Sequence, residues 1–320
     1  MISVSGRDWQ KIVVSEKKVK KIQQDFNLSQ TVSEIIVSRN FSENEIYLIE
    51  NNLELSNVFQ KNQDFIKSSD LLEIVIKNKD KICILGDYDV DGSAATSLWI
   101  RFLKSINHPH FHYIPDREQD GYGASKRLFE KLILDKPKLV IMVDCGSTSL
   151  EAIDYLNKKN IKSLIIDHHE ISKPFPKADA IINPKKDNGY IEYDYLCATT
   201  LTYFFLDILI KKIKCKINLR KYLIYVLLAT VCDVMPMRKL NRLIAIKSLE
   251  EFDINKNIAF KELYKLSNKK NKINIDDLGF LIGPILNSGG RLGKSSYAVD
   301  LLSSDNDKVI IKKSLELFEL

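Results

Sequence analysis

Apolar residues recur with two different periods along this chain. In the segments 31–40, 42–52 and 68–80 they lie three and four positions apart, and Ser or Thr residues that can cap a helix stand near their starts. That spacing places the apolar side chains on one face of an α-helix. The pattern therefore predicts a helical region over residues 1–80.

After residue 80, short β-rich runs alternate with helical segments. The first four runs show little polar alternation, which is typical of strands that are covered on both faces. Strands that alternate with helices indicate βαβ units, so we predict an α/β fold with a mostly parallel sheet flanked by helices. The predicted strands are 81–86, 111–114, 138–144, 162–167 and 180–183, and the predicted helices between them are 92–106, 124–134 and 149–159.

The pattern becomes helical again beyond residue 198. Helices are predicted at 199–213, 221–232 and 241–252, and a polar connector follows at 265–277. The sequence contains no internal repeat and no Pro- or Gly-rich linker that would mark a boundary. We therefore expect a helical N-terminal region over 1–80 and one α/β domain over 81–320 with a helical C-terminal part.

The composition fits a soluble globular protein. The 320 residues are 45% hydrophobic and 28% charged, so disorder is not expected. The net charge of +6 comes from Lys spread along the chain. This excess is compatible with a polyanionic partner without demonstrating one, because Lys-rich faces are commonly plain solvated surface.

The cysteines and the apolar stretches indicate the compartment. The five Cys residues are odd in number and lack CxxC spacing, which favours buried thiols of a reducing compartment over a disulfide framework or a zinc site. The N-terminus shows no apolar signal region. The longest uncharged apolar stretch, 222–232, has 11 residues, well below the roughly 20 that cross a bilayer. We expect a cytoplasmic protein without a membrane segment.

Three carboxylates stand directly after the first predicted strand, in the sequence GDYDVDG. Asp87, Asp89 and Asp91 follow the apolar run ICIL within five residues. Like charges this close repel each other, and their burial is costly unless a cation lies among them. Solvent, a salt-bridge partner or a metal ion must therefore balance this charge.

Acids and imidazoles also end three other predicted elements. Ligands gather beyond the carboxyl ends of parallel strands, so these side chains are expected at one edge of the sheet. Carboxylates with imidazoles suit Mn²⁺ or Mg²⁺, and the lack of thiolates disfavours a structural zinc ion. Six carboxylates and two imidazoles exceed the needs of one ion, which predicts a two-metal site for phosphoester hydrolysis. The additional residues are Asp144, Asp167, His168, His169 and Asp233.

Each of these residues also has a simpler explanation on its own. Asp144 could cap the next helix, and Asp91 could cap the helix predicted at 92. Two adjacent histidines are more often surface residues without a role than metal ligands. Asp233 could simply end a helix before Pro236. Capping does not require four separate elements to end in acid or imidazole along one edge. The conjunction therefore favours the metal site.

The motifs resemble the DHH phosphoesterase superfamily and, within it, the RecJ family of single-strand-specific 5′→3′ exonucleases. GDYDVDG, VDCGS, IDHHE and CDVMP resemble the four metal-binding motifs of the superfamily in the same order. YIPDREQDGYG, GPILNSGGRLG and the helical lead-in VSRNFSENEI resemble segments typical of RecJ. The resemblance extends from about Ile35 to the end of the chain.

The resemblance implies two divalent ions, Mn²⁺ or Mg²⁺, that share one ligand. The expected ligands of the first ion are Asp89 and Asp144, with Asp87 as an additional candidate. The expected ligands of the second ion are Asp91, Asp144, His168 and Asp233, so that Asp144 bridges the two. His169 is expected to face the scissile phosphate and to stabilise its charge or assist proton transfer, while Asp167 orients the histidines.

Two side chains of the segment 113–123 are candidate substrate contacts. Arg117 matches a RecJ position that reaches the 5′ end of the substrate, where a guanidinium suits a terminal phosphate. A surface ion pair with a neighbouring acid, Asp116, Glu118 or Asp120, is the alternative. Tyr122 could stack on a base or could be a packed loop residue.

Asn287 and Arg291 are the candidate substrate contacts of the segment 283–293. Arg291 follows Gly289 and Gly290, whose missing side chains would let a phosphate backbone approach, and a simple turn is the alternative. The sequence departs from RecJ in two segments. The sequence NSGGR replaces the usual Asn-Ala-Ala-Gly-Arg, and Asp116 stands where Asn is common.

The resemblance implies a metal-dependent 5′→3′ exonuclease for single-stranded DNA that acts in DNA repair and recombination, beside a RecQ-type helicase and a single-strand binding protein. RecJ proteins continue into a substrate-clamping domain and an OB-type domain that nothing here resembles, so we expect a partial sequence. The alternatives are a DHH phosphodiesterase for short oligonucleotides or cyclic dinucleotides, and a non-catalytic nucleic-acid-binding replication scaffold. A nicotinamide-binding protein is excluded, because acids stand where a pyrophosphate site needs GxGxxG.

Overall fold

The computed structural model describes residues 4–8, 10, 12–50, 54–116, 120–121, 123–186 and 190–320. The chain divides into a smaller unit, Met1–Glu54 with Arg238–Leu243, and a larger unit, Leu55–Met237 with Ile244–Leu320. The helix at Gln63–Lys77 lies in the larger unit, although the sequence pattern grouped it with the N-terminal region. The assignment of the catalytic domain to residues 81–320 stays a prediction.

The smaller unit contains the helices α1 (Glu16–Phe26), α2 (Gln30–Ser38) and α3 (Glu43–Glu50). Phe26, Ile36 and Ile46 form its buried core. The side chain of Ser29 accepts a hydrogen bond from the backbone N–H of Val32 and caps α2. The helical pattern predicted for this part of the chain is therefore confirmed.

The larger unit is built around a five-stranded sheet in which every neighbouring pair is parallel. In the strand order β2-β1-β3-β4-β5, the topological switch point lies between β1 and β3, and ligands collect at such points in open parallel sheets. This sheet and its helices confirm the predicted α/β class. The strands are β1 (Ile82–Leu85), β2 (His110–Tyr113), β3 (Leu139–Val143), β4 (Lys162–Ile166) and β5 (Ala180–Ile182).

Helices connect the strands and form the C-terminal part, as predicted. A 3₁₀ turn at Ile133–Asp135 ends the segment predicted as one helix at 124–134, and a π-turn at Leu278–Ile282 joins α12 to α13. The helices are α4 (Gln63–Lys77), α5 (Val90–Ser105), α6 (Lys126–Leu132), α7 (Leu150–Lys158), α8 (Ala198–Lys212), α9 (Leu223–Cys232), α10 (Lys239–Glu251), α11 (Ile258–Leu266), α12 (Ile275–Asp277), α13 (Gly283–Arg291), α14 (Tyr297–Ser303) and α15 (Asp307–Phe318).

Burial differs between the two edge strands of the sheet. Every residue of β1, β3 and β5 is buried, and in β4 only Lys162 is exposed. All four residues of β2 are half-buried, and Phe111 and Tyr113 pack against the core. The cover expected on both faces is therefore only partial at β2, whereas the other edge strand, β5, is fully buried.

Two further sequence expectations concern the cysteines and membrane segments. All five cysteines are free thiols, and Cys83, Cys145 and Cys197 are buried. Within the described parts of the chain, every helix is too short or too polar to span a bilayer.

Candidate metal centre

His168, which follows β4, lies at the meeting point of three carboxylates from other elements. Its Nε2 atom is 3.3 Å from Oδ1 of Asp144, 3.4 Å from Oδ2 of Asp233 and 3.7 Å from Oδ2 of Asp91. Asp144 follows β3, Asp233 follows α9, and Asp91 lies in the first turn of α5. The structure therefore brings together four of the predicted ligands from four separate elements.

Four atoms at this meeting point have no hydrogen-bond partner among the described residues. Both carboxylate oxygens of Asp144, Nε2 of His168 and Oδ2 of Asp233 are buried without a hydrogen bond to any described residue. Buried polar groups are normally hydrogen-bonded, and an unpartnered one is costly. These three oxygen atoms and one nitrogen atom, which lack hydrogen bonds and lie close together, could therefore be the ligands of a divalent cation.

The charge of the cluster supports the same interpretation. Burial raises the pKa of Asp144 well above its ordinary value, and the charges of Asp91 and Asp89 raise it further. Burial, followed by the same two charges, raises the pKa of Asp233 to about 7. Without a cation the carboxylates repel one another, so positive charge placed among them would be strongly favoured.

Asp91 is held in place by the start of another helix. Its Oδ2 accepts the backbone N–H of Ala198 at 2.7 Å, and its Oδ1 accepts that of Thr199 at 2.8 Å. These are donors of the first turn of α8, where N–H groups lack helical partners. The alternative that Asp91 caps α5 was wrong, because Asp89 occupies that position and its Oδ1 accepts from Gly92 N at 2.9 Å.

The capping alternative for Asp144 was also wrong. Its oxygens accept no hydrogen bond from a described residue, and its backbone adopts the left-handed conformation with φ of 61°. That conformation is uncommon outside glycine and costs free energy. The strain and the unpartnered oxygens at one residue indicate that Asp144 is kept for a ligand.

Gly92 fixes the path of the loop that carries Asp87 and Asp89. A Cβ atom at Gly92 would lie 2.5–2.7 Å from the backbone N, O and Cα of Asp87. Oδ1 of Asp87 accepts the N–H of Tyr88 at 2.6 Å, and Asp87 itself is buried. The final glycine of GDYDVDG is therefore needed for close packing of the loop against α5.

Asp167 organises the loop after β4. Its Oδ1 accepts the backbone N–H groups of His168 and His169 at 2.8 and 3.2 Å and lies 2.8 Å from Nδ1 of His169. Its Oδ2 accepts Ser147 N at 3.0 Å. Burial alone would raise the pKa of Asp167, but these hydrogen bonds lower it to about 2. The expected orienting role of Asp167 fits the ring of His169, whereas for His168 the bond reaches only the backbone.

His169 is more exposed than His168. Its side chain is 46% exposed, and the hydrogen bond to Asp167 raises its pKa to about 9 even though burial opposes this. Its Nδ1 atom lies 3.8 Å from Oδ1 of Asp144. Asp144, His168 and His169 form a second group whose potential ligand atoms lie within 4.8 Å of one another. The sequence analysis gave His169 no ligand role, so this grouping adds a candidate.

Three residues around the centre were missed by the sequence analysis. Nδ2 of the buried Asn183, which follows β5, donates to Oγ of Ser147 and to the backbone oxygen of His169. Thr199 donates its hydroxyl to the backbone oxygen of Asp91 at 2.9 Å. The position of Asn183 after the fifth strand was the available signal, because the ends of parallel strands share one edge.

The predicted substrate contacts are only partly described. Arg117 and Tyr122 lie outside the described residues. Asn287 and Arg291 lie on α13 and line a cavity of about 490 Å³ that Cys232 also lines. Oδ1 of Asn287 is buried without a hydrogen bond to the described part of the chain.

The glycine pair before Arg291 has a different purpose from the one expected. Gly289 and Gly290 are buried in the last turns of α13. A Cβ at Gly290 would lie 2.7 Å from Cδ2 of Tyr88, and a Cβ at Gly289 would lie 2.8 Å from the backbone oxygen of Lys294. The pair therefore forms neither a simple turn nor an opening for phosphate, because the protein itself fills that space.

Comparisons with known proteins place these residues in context. Residues 81–230 match the family model described as DHH family, N-terminal domain. The single-stranded-DNA-specific exonuclease RecJ of Haemophilus influenzae is 30% identical over 261 residues, which are 78% of this chain and 45% of that protein. The RecJ of Bacillus subtilis is 27% identical over 295 residues, which are 91% of this chain and 37% of that protein. The chain thus spans less than half the length of either relative.

Solved structures share the fold. The exonuclease RecJ bound to manganese matches with a TM-score of 0.73 and 22% identity over 83% of this chain and 66% of that chain. RecJ from Thermus thermophilus in complex with Mn²⁺ matches with a TM-score of 0.78 and 20% identity over 95% of this chain and 43% of that chain. These structures show the shared fold, and the sequence matches to the two RecJ proteins confirm the resemblance that the motifs indicated.

Proposed function

We propose that this chain, whose residues 81–230 match the N-terminal domain of the DHH family, carries the catalytic centre of a metal-dependent exonuclease. Its reaction is the hydrolysis of phosphodiester bonds in single-stranded DNA from the 5′ end. The main observation behind the proposal is that buried atoms of Asp144, His168 and Asp233 lie at one point without a hydrogen-bond partner among the described residues.

Two divalent ions, Mn²⁺ or Mg²⁺, are the proposed cofactors. Asp91, Asp144, His168 and Asp233 hold one ion, and Asp89 and Asp144 hold the other with Asp87 nearby. When bound, such a pair of ions neutralises phosphoryl oxygens and makes a nearby water molecule more acidic. Imidazole among the ligands favours Mn²⁺ over Mg²⁺.

The protein's own residues then position the substrate and handle protons. The backbone N–H groups of Ala198 and Thr199 hold the carboxylate of Asp91 in place, so the position of this ligand does not depend on a bound ion. The ring of His169 is held by Asp167 and is partly exposed, so it can donate a hydrogen bond to the scissile phosphate or carry a proton. Arg117, Tyr122, Asn287 and Arg291 are the proposed substrate contacts.

The named relatives support DNA as the substrate, since they are single-stranded-DNA-specific exonucleases. DNA repair and recombination in the cytoplasm is the proposed setting. A RecQ-type helicase that exposes single strands, together with a single-strand binding protein, is the proposed pair of partners. The catalytic domain is proposed to occupy residues 81–320.

Strand polarity is the test of this function. The chain, in excess over a 3′-labelled single-stranded oligonucleotide and with Mn²⁺, should shorten the strand from its 5′ end and release mononucleotides. A blocked 5′ end should stop the reaction, and chelation should abolish it. Enzyme excess is chosen so that a single round of shortening is visible on every bound strand.

The other outcomes have defined meanings. Shortening from the 3′ end would contradict the proposed polarity. Activity confined to oligonucleotides of a few residues would replace the proposal with a small-substrate phosphodiesterase. Binding of DNA without any turnover in Mn²⁺ or Mg²⁺ would leave a non-catalytic scaffold.

A further inference from the structure

Lys185 lies on the turn after β5, beside the metal centre, and the sequence motifs assign it no role. Its backbone N–H donates to Oδ1 of Asn183 at 2.9 Å. Nδ2 of the same Asn183 donates to the backbone oxygen of His169 at 2.9 Å and to Oγ of Ser147 at 2.8 Å. Asn183 is completely buried. The turn is therefore tied to the loops after β3 and β4, which carry the proposed ligands.

The ammonium group of Lys185 has a weak and exchangeable partner. Its Nζ lies 2.9 Å from Oε1 of Glu170, whose side chain is 88% exposed, whereas that of Lys185 is 24% exposed. An ion pair with such an exposed carboxylate is screened by water and salt and contributes little. A more strongly charged anion at the centre can therefore displace Glu170.

The ion-pair partner of Lys185 lies next to the proposed ligands. Glu170 directly follows His169 in the chain, and the backbone oxygen of His169 accepts from Asn183. The backbone of Lys185 is bound to Asn183 and its ammonium group to Glu170, so both ends of Lys185 are held at the loop that carries His168 and His169.

We propose that Lys185 binds a backbone phosphate of the substrate strand next to the metal centre, with Glu170 holding the ammonium group until the phosphate replaces it. The inference rests on the proposed function, because it names a substrate contact of the same site. An ammonium group is a compact point charge without fork geometry, so this contact should add affinity without reading sequence.

The experiment measures binding separately from turnover. A 3′-labelled oligothymidylate is titrated with the chain in Ca²⁺ by fluorescence anisotropy, over a series of KCl concentrations. Lys185→Ala should raise the dissociation constant about 3- to 10-fold at low salt and reduce the slope of log Kd against log salt by about 0.7, the loss of one phosphate contact on a single strand. Lys185→Arg should restore most of the affinity.

Glu170→Gln separates this contact from a merely structural ion pair. If Lys185 only stabilises the fold through Glu170, both variants should weaken binding alike. If Lys185 binds phosphate, Glu170→Gln should bind more tightly, since the competing carboxylate is gone. Lys162→Ala is the matched charge control, because Lys162 is exposed at the opposite, amino-terminal end of β4.

The failures are distinguishable. A wild-type chain that neither binds nor cleaves single-stranded DNA would reject the proposed function together with this inference. A wild-type chain that binds and cleaves, with Lys185→Ala indistinguishable from Lys162→Ala in Kd and in salt slope, would reject the assignment of Lys185 alone.

Discussion

At the scale of single residues, acids of the same type perform different tasks at this site. Asp144 has a left-handed backbone and two buried oxygens without a hydrogen-bond partner among the described residues, so it adds charge to the cluster without holding another element in place. Asp91 is equally buried, but both of its oxygens accept N–H groups from α8. Both are candidate ligands, yet only Asp91 also belongs to the hydrogen-bonded framework. Their substitutions should therefore differ in stability.

Asp91→Ala should destabilise the metal-free chain by about 2–4 kcal/mol, because two buried N–H groups at the start of α8 lose their acceptor. Asp91→Asn keeps one amide oxygen as acceptor and should lose less. Urea unfolding without metal, followed by far-UV circular dichroism, measures both. Equal stability of Asp91→Ala and the wild type would show that α8 does not depend on this carboxylate.

At the scale of elements, close packing between a loop and a helix sets the positions of the first three acids. Gly92 lets the backbone of Asp87 approach α5, and Gly290 lets α13 approach Tyr88 of the same loop. A sequence pattern marks such glycines as turn residues, but the turn explanation for Gly290 was wrong because the residue lies inside a helix. Each glycine is needed because a neighbouring segment of the chain packs against it: Asp87 at Gly92 and Tyr88 at Gly290.

Gly92→Ala should shift the Asp87–Asp89 loop and destabilise the chain by about 1–3 kcal/mol, since the added methyl group meets backbone atoms that cannot turn away. The thermal stabilisation by Mn²⁺ should also be lost, and differential scanning fluorimetry with and without the ion measures both effects. Gly279→Ala is the control, because its Cβ would meet only Cγ1 of Val231 at 3.0 Å. A Gly92→Ala chain with an unchanged Mn²⁺ response would contradict the packing argument.

The edge strand β2 should make stability depend on pH. Burial lowers the pKa of His112. The charge of Asp300 of α14 opposes this shift, whereas the charges of His110 and of Lys104 of α5 lower the pKa further. Burial likewise lowers the pKa of His108, although a hydrogen bond to the backbone oxygen of Asp80 opposes this. A folded-state pKa below the unfolded value means that the unfolded chain binds more protons. The stabilising contribution of His108 and His112 is therefore fully present above pH 6.5 and is lost as the pH falls below that value.

His112→Gln isolates that contribution from the other titrating groups. The difference in unfolding free energy between wild type and variant should shrink as the pH falls from about 7 to about 5, because the variant has no proton to bind at this position. Urea titrations at several pH values measure the difference. A difference that stays constant over this range would contradict the role of His112.

At the scale of the whole molecule, the fold brings carboxylates that repel one another together at one point. Burial and the neighbouring carboxylates raise the pKa values of Asp89, Asp144 and Asp233 together. The repulsion between these carboxylates destabilises the folded state, and packing in the rest of the sheet and helices offsets it. An ion that binds only the folded state should therefore stabilise the entire larger unit. The comparisons extend over most of this chain but over less than half of its curated relatives.

Mn²⁺ at about 100 times its dissociation constant should raise the free energy of unfolding by about 2.7 kcal/mol. Asp144→Asn should abolish this response, and without metal it should be more stable than the wild type by on the order of 1 kcal/mol, since one buried charge is removed. Its hydrolysis should fall at least about 100-fold. Asp154→Asn, an exposed change on α7, is the control. A Mn²⁺ response retained by Asp144→Asn would exclude it as the shared ligand.

The sequence by itself determined the class of fold and the chemistry of the site. Periods of two and of three to four residues distinguish strands from helices, and the acids and imidazoles follow the predicted strand ends whatever the packing. Those local rules placed Asp144 and His168 at one edge, because the carboxyl ends of parallel strands share one edge. Asp233 follows the helix α9, and its place in the ligand set came from the resemblance of CDVMP to a superfamily motif.

Only the tertiary structure decided which acid does what. That α8 donates to Asp91 and that Asn183 binds the loop of His169 depend on contacts between residues that are far apart in sequence. No local pattern encodes them, because hydrogen-bond partners and burial are set by how the elements pack, and the pKa of each acid follows from that packing.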